Sequence, residues 1–325
     1  MEMEPAEEER GPSAPSPASH FAISVAEAMN ASRRSTMEDA YSILRPGTWN
    51  EQVPDTTFLA IYDGHGGRDM VDFIQHAMPF HVAQELDTLD DEDEDAHKLK
   101  LLRAFLMADI HARKLNITSS GAAVAVALVQ TTPGVPTRFR LLTANVGDSR
   151  VVAGVETVDT KGQQQIYTER LTFDHAASEP SEVGDSCIVG NLCYPWRFLS
   201  HTFLIFHQMQ RIDKTGGFFY KGRVLGVLAL ARSMGDCCLK DFVLGEPFVR
   251  EALLDFARVE GTRRAFLILA CDGLWDVMTD REATERVIAW TGDPEDVARD
   301  LVEEGLRRGT GDNLSVVVAW LHRTD

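Results

Sequence analysis

The chain alternates between continuous apolar runs and apolar residues at helical spacing. Continuous runs predict strands at 21–32, 58–62, 122–129, 138–147, 150–157, 264–273 and 314–321. Helical spacing predicts helices at 70–86 and 96–115. These elements come in blocks rather than in strict strand–helix alternation. The order favours antiparallel sheets with helices packed outside them, an α+β fold.

Two further helices are indicated by signals at their N-termini. Thr279 and Glu282 have the spacing of a capping box, which predicts a helix through Trp290. Asp293 followed by Pro294 has the form of an N-cap and a first helical residue, and predicts a helix at 294–308.

Composition and net charge limit the kinds of binding partner that the protein is expected to have. The 325 residues are 44% hydrophobic and carry a formal net charge of -18, with a pI of about 4.9. Such a surface repels phosphate backbones and anionic lipid, so we expect neither nucleic acid nor a membrane as a partner. Residues 1–20 are acidic, rich in Pro and Ser and without an apolar signal core, and we interpret them as a disordered tail. The five cysteines form no regular framework, which favours an intracellular protein of the cytoplasm or nucleus.

Acidic residues stand at the ends of several predicted strands. Asp63 and Asp272 each follow a long apolar run and precede a glycine, Asp148 lies in a tight turn, and Asp312 directly precedes the last strand. Glu38 and Asp39 precede another strand. Each site alone is also compatible with ordinary turn chemistry. If the strand ends converge, the carboxylates form an oxygen-rich cluster that suits Mg²⁺ or Mn²⁺.

Such a cluster is compatible with phosphate-ester hydrolysis. Two hard cations about 3.5–4 Å apart can activate a water molecule for in-line attack on phosphorus. His65 is then a candidate proton donor to the leaving group, or alternatively a solvated turn histidine. Arg34 or Arg33 is a candidate phosphate ligand, or alternatively a surface arginine.

Several other classes of site lack their motifs. The stretch at 64–69 is not a dinucleotide fingerprint, because Asp69 stands where the last glycine is needed. The sequence has no Walker A motif, no Cys-x5-Arg loop and no His-Glu-x-x-His zinc motif.

Eight stretches, in this order, resemble the metal-dependent serine/threonine protein phosphatases of the PPM, or type-2C, family. They are RRSTMEDAY, FLAIYDGHGG, SSGAAVAVALV, LLTANVGDSRVV, LTFDHAASEPSEV, GRVLGVLALARSMGD, FLILACDGLWDVM and GTGDNLSVVVAWL, and they span about 21–320. The resemblance implies a four-layer α-β-β-α sandwich with two central antiparallel β-sheets. It implies one phosphatase domain over 21–325, working as a monomer on phosphoprotein substrates.

The resemblance also implies roles for individual residues. Asp63 would bridge two Mn²⁺ or Mg²⁺ ions, the Gly64 carbonyl would bind one of them, and Asp272 and Asp312 would hold the other. A water or hydroxide activated at this binuclear centre would attack phosphorus without a covalent phosphoenzyme.

Further roles follow from the same resemblance. Glu38 would act on the metals through water with support from Asp39, and Arg34 rather than Arg33 would bind phosphate. His65 would be the general acid. A weaker third metal site would involve the two aspartates Asp148 and Asp276.

Residues 184–209 depart from the family pattern as an apolar, nearly uncharged insertion in the flap region beside the site. Three interpretations are open: a docking segment, a zinc site, or translated non-coding sequence, which we favour. The zinc site would use Cys187, Cys193, His201 and His207. The insertion also raises an alternative function, a catalytically impaired phosphatase-like scaffold.

Overall fold

A computed structural model describes residues 22–51, 54–86, 94–132, 135–176, 210–256, 259 and 261–323. The predicted N-terminal tail and the whole predicted insertion, including its four candidate zinc ligands, lie outside these residues, so both stay predictions.

Thirteen strands lie within the described residues. They are β1 (Ala22–Ala28), β2 (Ala40–Leu44), β3 (Thr56–His65), β4 (Gly121–Thr132), β5 (Val135–Val146), β6 (Arg150–Val158), β7 (Gln164–Arg170), β8 (Phe219–Tyr220), β9 (Arg223–Val224), β10 (Met234–Gly235), β11 (Phe248–Asp255), β12 (Thr262–Ala270) and β13 (Leu314–Arg323). One antiparallel sheet has the order β1-β13-β12-β6-β7. The second has the order β11-β5-β4-β3-β2, with β10 paired to β4, and β8 and β9 form a separate hairpin.

Helices cover the outer faces of both sheets. They are α1 (Asp69–Leu86), α2 (Glu94–Lys114), α3 (Asp272–Trp275), α4 (Asp280–Ala289) and α5 (Val297–Arg308). The second sheet packs against α1 and α2, and the first packs against α4 and α5. The predicted α-β-β-α layering is therefore confirmed.

Side-chain alternation along each central strand explains the continuous apolar runs. On β3, Phe58, Ala60 and Tyr62 pack against the helices, whereas Leu59 and Ile61 face the other sheet. On β12, residues 266 and 268 pack against the helices, and residues 267 and 269 lie between the sheets. Because both faces of these runs are covered, both carry apolar residues, and the usual apolar–polar alternation of a half-exposed strand is lost.

Most predicted elements are confirmed, with corrections at their ends. The strand predicted at 21–32 ends at Ala28, and the one predicted at 264–273 ends at Ala270, because Asp272 and Gly273 belong to α3. The predicted helices at 70–86 and 96–115 correspond to α1 and α2, and Thr279 and Glu282 form both bonds of the capping box. However, β3 does not end before Asp63: it continues through His65, because Asp63, Gly64 and His65 stay paired with β4. Asp293 caps a 3-10 turn at Pro294–Asp296, and the α-helix begins only at Val297.

Replacing Thr279 by alanine tests the capping box. The Thr279 hydroxyl accepts a hydrogen bond from the backbone N–H of Glu282 at 3.2 Å. Thr279→Ala is expected to lower the free energy of unfolding by about 1 kcal/mol in a urea titration, because that N–H loses its acceptor. Thr279→Ser keeps the hydroxyl and should stay close to the wild type. Equal losses in both variants would contradict the capping role.

Candidate metal centre and active site

Strand alternation directs Asp63 into the space between the two sheets. Leu59 and Ile61 face the other sheet, and Asp63 follows them at the same two-residue period. Ala40 lies opposite Tyr62 in the β2–β3 pair, so Asp39 lies beside Asp63. The end of β3 therefore brings two carboxylates together at the edge of the inter-sheet core.

The turn after β5 brings Asp148 to the same place. Gly147 has a φ of +84° and packs on Ala123, which is paired with Asp63. A Cβ on Gly147 would lie 2.4 Å from the Cβ of Ala123. The positive φ and the close packing therefore require glycine here, and this holds the Asp148 turn against the end of β3.

The first sheet contributes Asp272 and Asp312. Asp272 begins α3 directly after β12, and Asp312 lies just before β13. Gly273, next to Asp272, packs on the backbone of Asn313, next to Asp312, because a Cβ on Gly273 would lie 1.9 Å from the Asn313 carbonyl oxygen. This close approach makes the two aspartates neighbours.

Three of these carboxylates form a compact group. Asp63, Asp148 and Asp272 each offer one oxygen, and these oxygens lie within 4.8 Å of one another. Asp39, Asp63 and Cys271 form a second group by the same measure. Asp63 belongs to both, which makes it the common member of the site.

Burial and mutual repulsion make ionisation of these groups unfavourable. Burial raises the pKa of Asp63 well above its ordinary value, and the neighbouring carboxylates, foremost Asp272, raise it further. Burial and then Asp148 act in the same direction on the pKa of Asp272. Burial, with a further contribution from Asp174, raises the pKa of Asp148 to about 7. The site therefore holds less negative charge than its residues would carry in water.

The residues present fit a hard divalent cation. Asp39 Oδ2 is buried and has no hydrogen-bond partner among the described residues. Burial raises the pKa of the Cys271 thiol well above its ordinary value, so the thiol stays protonated and is a poor ligand. The remaining donors are carboxylate oxygens, which Mg²⁺ and Mn²⁺ prefer.

Three other predicted ligands lie outside these two groups of donors: Glu38, Asp276 and Asp312. Asp312 nevertheless raises the pKa of Asp63 and Asp272, so it lies within their electrostatic reach. Asp276 is exposed, one helical turn after Asp272.

Gly64 and the Glu38 segment are closely packed. A Cβ on Gly64 would lie 2.4 Å from the Glu38 carbonyl oxygen. The Glu38 side chain accepts hydrogen bonds from Thr36 Oγ1 at 3.1 Å and from the Gly67 N–H at 3.4 Å. Glu38 is therefore fixed next to the end of β3.

Arg34 and His65 lie at the accessible side of the site. The Arg34 guanidinium pairs with the Asp312 carboxylate, and its Nε donates to the Gly311 carbonyl at 3.1 Å. Its side chain is 46% exposed, so an anion can reach it. His65 Nε2 lies 2.8 Å from Asp236 Oδ2, and the His65 side chain is 30% exposed.

Two residues of the site were not predicted. Asn313 accepts the Glu38 N–H at 2.9 Å and donates to the carbonyls of Met29 and Thr36, which fixes the loop before β2. Asp236 is buried in a left-handed conformation with φ +49°, which costs on the order of 1–3 kcal/mol for a non-glycine residue. The only sequence signal for Asp236 was its place beside Gly235 in the ARSMGD stretch.

The comparison with known families agrees with this geometry. A family model described as protein phosphatase 2C matches residues 23–184 and 208–314. The chain belongs to the protein phosphatase 2C family. It is accordingly a protein serine/threonine phosphatase, an enzyme of metal-dependent protein dephosphorylation.

Individual relatives match along nearly the whole chain. The chain is 30% identical to "Protein phosphatase 2C homolog 1" of Saccharomyces cerevisiae over 93% of its own length and 94% of the yeast protein. It is 29% identical to the protein of the same name from Schizosaccharomyces pombe, over 96% of its length and 77% of that protein.

Solved structures share the fold of this phosphatase. A serine-threonine phosphatase 2C from Toxoplasma gondii has a TM-score of 0.67 at 19% identity, covering 92% of this chain and 94% of that one. A serine/threonine phosphatase of S. agalactiae has a TM-score of 0.58 at 16% identity, covering 94% of this chain and 100% of that one. Among its described residues, this phosphatase has no helix long and apolar enough to cross a bilayer.

Asp148→Asn tests the crowding of the carboxylates. The folded protein raises the pKa of Asp148 from 3.8 to about 7. The folded metal-free protein therefore binds this proton more tightly than the unfolded chain, and the resulting stabilisation is lost as pH rises from about 4 through about 7. The amide does not titrate. In EDTA, the stability of the variant relative to the wild type should therefore increase over this range.

Urea titrations of both proteins at matched ionic strength measure this difference. Saturating Mn²⁺ should remove the advantage of the variant at pH 8, because a cation stabilises the charged form of Asp148. If the difference in the free energy of unfolding between the two proteins did not change with pH in EDTA, Asp148 would not be crowded by other carboxylates.

Proposed function

We propose that this phosphatase hydrolyses phosphoserine and phosphothreonine in proteins at a binuclear Mn²⁺ or Mg²⁺ centre. The convergence of Asp63, Asp148 and Asp272 within 4.8 Å is the observation that supports it most. A cluster of buried carboxylates is stabilised when cations neutralise its repulsion.

In the proposed centre, Asp63, the Gly64 carbonyl, Asp272 and Asp312 would hold the two ions. Glu38 would act on them through water, with support from Asp39. Asp148 and Asp276 would contribute to a weaker third site, and Asp276 is exposed.

The ions, when bound, would lower the pKa of a water molecule and neutralise charge that develops on the transferred phosphoryl group. Such electrostatic help is needed because phosphate monoesters are among the slowest substrates to hydrolyse without a catalyst.

The side chains of the chain bind the substrate and move its proton. The exposed fork of Arg34 donates charge-assisted hydrogen bonds to the phosphate oxygens. His65 is accessible at the end of β3 and donates a proton to the serine or threonine oxygen as it leaves.

Catalysis is favoured over the scaffold alternative by the composition of the site. Asp63, Asp272, Asp312, Arg34 and His65 are all present among the described residues. Asp63, Asp272 and Asp312 act on one another electrostatically, and Arg34 pairs with Asp312. A protein that had become a scaffold would have no need of a cluster of half-buried, mutually repelling carboxylates.

Metal-dependent turnover of a phosphothreonine peptide tests this function. Hydrolysis should require Mn²⁺ or Mg²⁺ and stop in EDTA. Asp272→Asn should lower kcat/KM by more than about 100-fold, because outer-sphere partners alone contribute 10–100-fold at metal sites. Glu303→Gln, an exposed change on α5, is the control and should retain full activity. Activity that persists in EDTA would contradict the metal mechanism.

The pair Arg34 and Arg33 tests phosphate binding. Arg34→Ala should raise KM for the phosphopeptide by about tenfold or more, because a hydrogen bond to a charged group contributes about 1.5–3 kcal/mol. Arg33→Ala removes the same charge one residue away, where the side chain is also exposed. It should change KM by less than about twofold. Equal effects in the two variants would indicate general electrostatic attraction instead.

A further inference from the structure

The strongest unexplained contact of the site joins His65 to Asp236. We propose that Asp236 is a positioning residue, which holds the His65 ring through Nε2 so that Nδ1 is the atom that serves the leaving group. This inference rests on the proposed role of His65 as proton donor.

The contact fixes which ring nitrogen carries which role. His65 Nε2 lies 2.8 Å from Asp236 Oδ2, and an ionised carboxylate can only accept, so Nε2–H donates. Nδ1 has no hydrogen-bond partner among the described residues. It is the ring nitrogen that stays available to a substrate oxygen.

Asp236 is itself held on several sides. The Ser233 hydroxyl donates to the same Oδ2, and the Asp236 backbone N–H donates to the Ser120 carbonyl at 3.0 Å. Its carbonyl accepts from the Leu239 N–H at 2.8 Å. The carboxylate is only 8% exposed, so it has little freedom to turn away from His65.

The backbone leaves space for this pair at Gly121. Gly121 is paired with His65 on β3 and with Gly235 on β10. A Cβ on Gly121 would lie 2.2 Å from Asp236 Oδ2 and 2.4 Å from His65 Nε2. Three neighbouring strands therefore bring the imidazole and the carboxylate together over a residue without a side chain.

Asp236 is separate from the candidate metal ligands. It belongs to neither group of converging donors within the described part of the chain. Its carboxylate contacts His65 and Ser233 there, and neither an arginine nor a lysine. It is therefore directed at the imidazole, as expected for a residue that orients a proton donor.

A leaving-group comparison combined with a double-mutant cycle tests the inference. A phosphoserine peptide releases an alkoxide that needs a proton, whereas p-nitrophenyl phosphate releases a stable phenolate. Asp236→Asn keeps the size of the side chain but loses its charge. It should lower kcat on the peptide by about 10- to 100-fold, a part of the 10²–10⁴ typical of general acid catalysis, and lower kcat on the aryl ester several-fold less.

The cycle shows whether Asp236 acts through His65. Asp236→Asn should have little further effect in a His65→Ala background, because its target is gone. Equal losses on the two substrates, or losses that multiply with those of His65→Ala, would overturn the inference. Melting temperature and Mn²⁺ affinity by calorimetry should stay near wild type in each variant.

Ser233→Ala provides a second, milder variant if Asp236→Asn does not fold. It removes one of the hydrogen bonds that fix the carboxylate. It should also lower kcat more on the peptide than on the aryl ester, but by a smaller factor than Asp236→Asn. No substrate difference in a folded Ser233→Ala protein would then count against the inference. If His65→Ala shows the substrate difference but the Asp236 and Ser233 variants do not, only the positioning role fails. If His65→Ala lacks it too, the proposed proton donor fails together with this inference.

Discussion

Mutual repulsion between crowded, half-buried carboxylates is the constraint on which this site depends. Each of the two sheets is covered by helices on its outer face, and the two sheets share one core. Aspartates from both sheets lie at one edge of that core. Asp63 comes from one sheet and Asp272 from the other, and burial raises the pKa of both. The apolar packing that stabilises the sandwich therefore also forces together groups that would separate in water. A divalent cation bound there would relieve this conflict and would link metal binding to the stability of the fold.

Close backbone approaches let the aspartates meet. Gly147 and Gly273 each pack where a Cβ would overlap a neighbouring atom, at 2.4 Å from Ala123 Cβ and 1.9 Å from the Asn313 carbonyl oxygen. One holds the Asp148 turn against β3, and the other holds the start of α3 against β13. The glycines beside the acidic residues thus serve packing between elements as much as the turns that their sequence context suggests.

Apolar runs and strand-end carboxylates are local patterns, so the sequence alone predicts antiparallel sheets with outer helices and singles out Asp63, Asp148 and Asp272, which the fold brings together. The four-layer order came from the family resemblance. It misjudged the end of β3, since a Gly-rich stretch indicates a turn unless a neighbouring strand pairs with it, and here Gly121 and Ala122 do so. Asn313 and Asp236 were not predicted because their roles depend on partners distant in sequence, Glu38 and His65 respectively. No local pattern distinguishes a buried aspartate that binds a histidine from one that caps a turn.

Anomalous diffraction from crystals soaked in Mn²⁺ tests the central claim most directly. Strong peaks are expected at the Asp63 carboxylate, with one peak also in contact with Asp272 and Asp312 at the oxygen–metal distances of about 2.0–2.3 Å typical of hard cations. No peak at Asp63, under a Mn²⁺ concentration that supports full turnover, would contradict it.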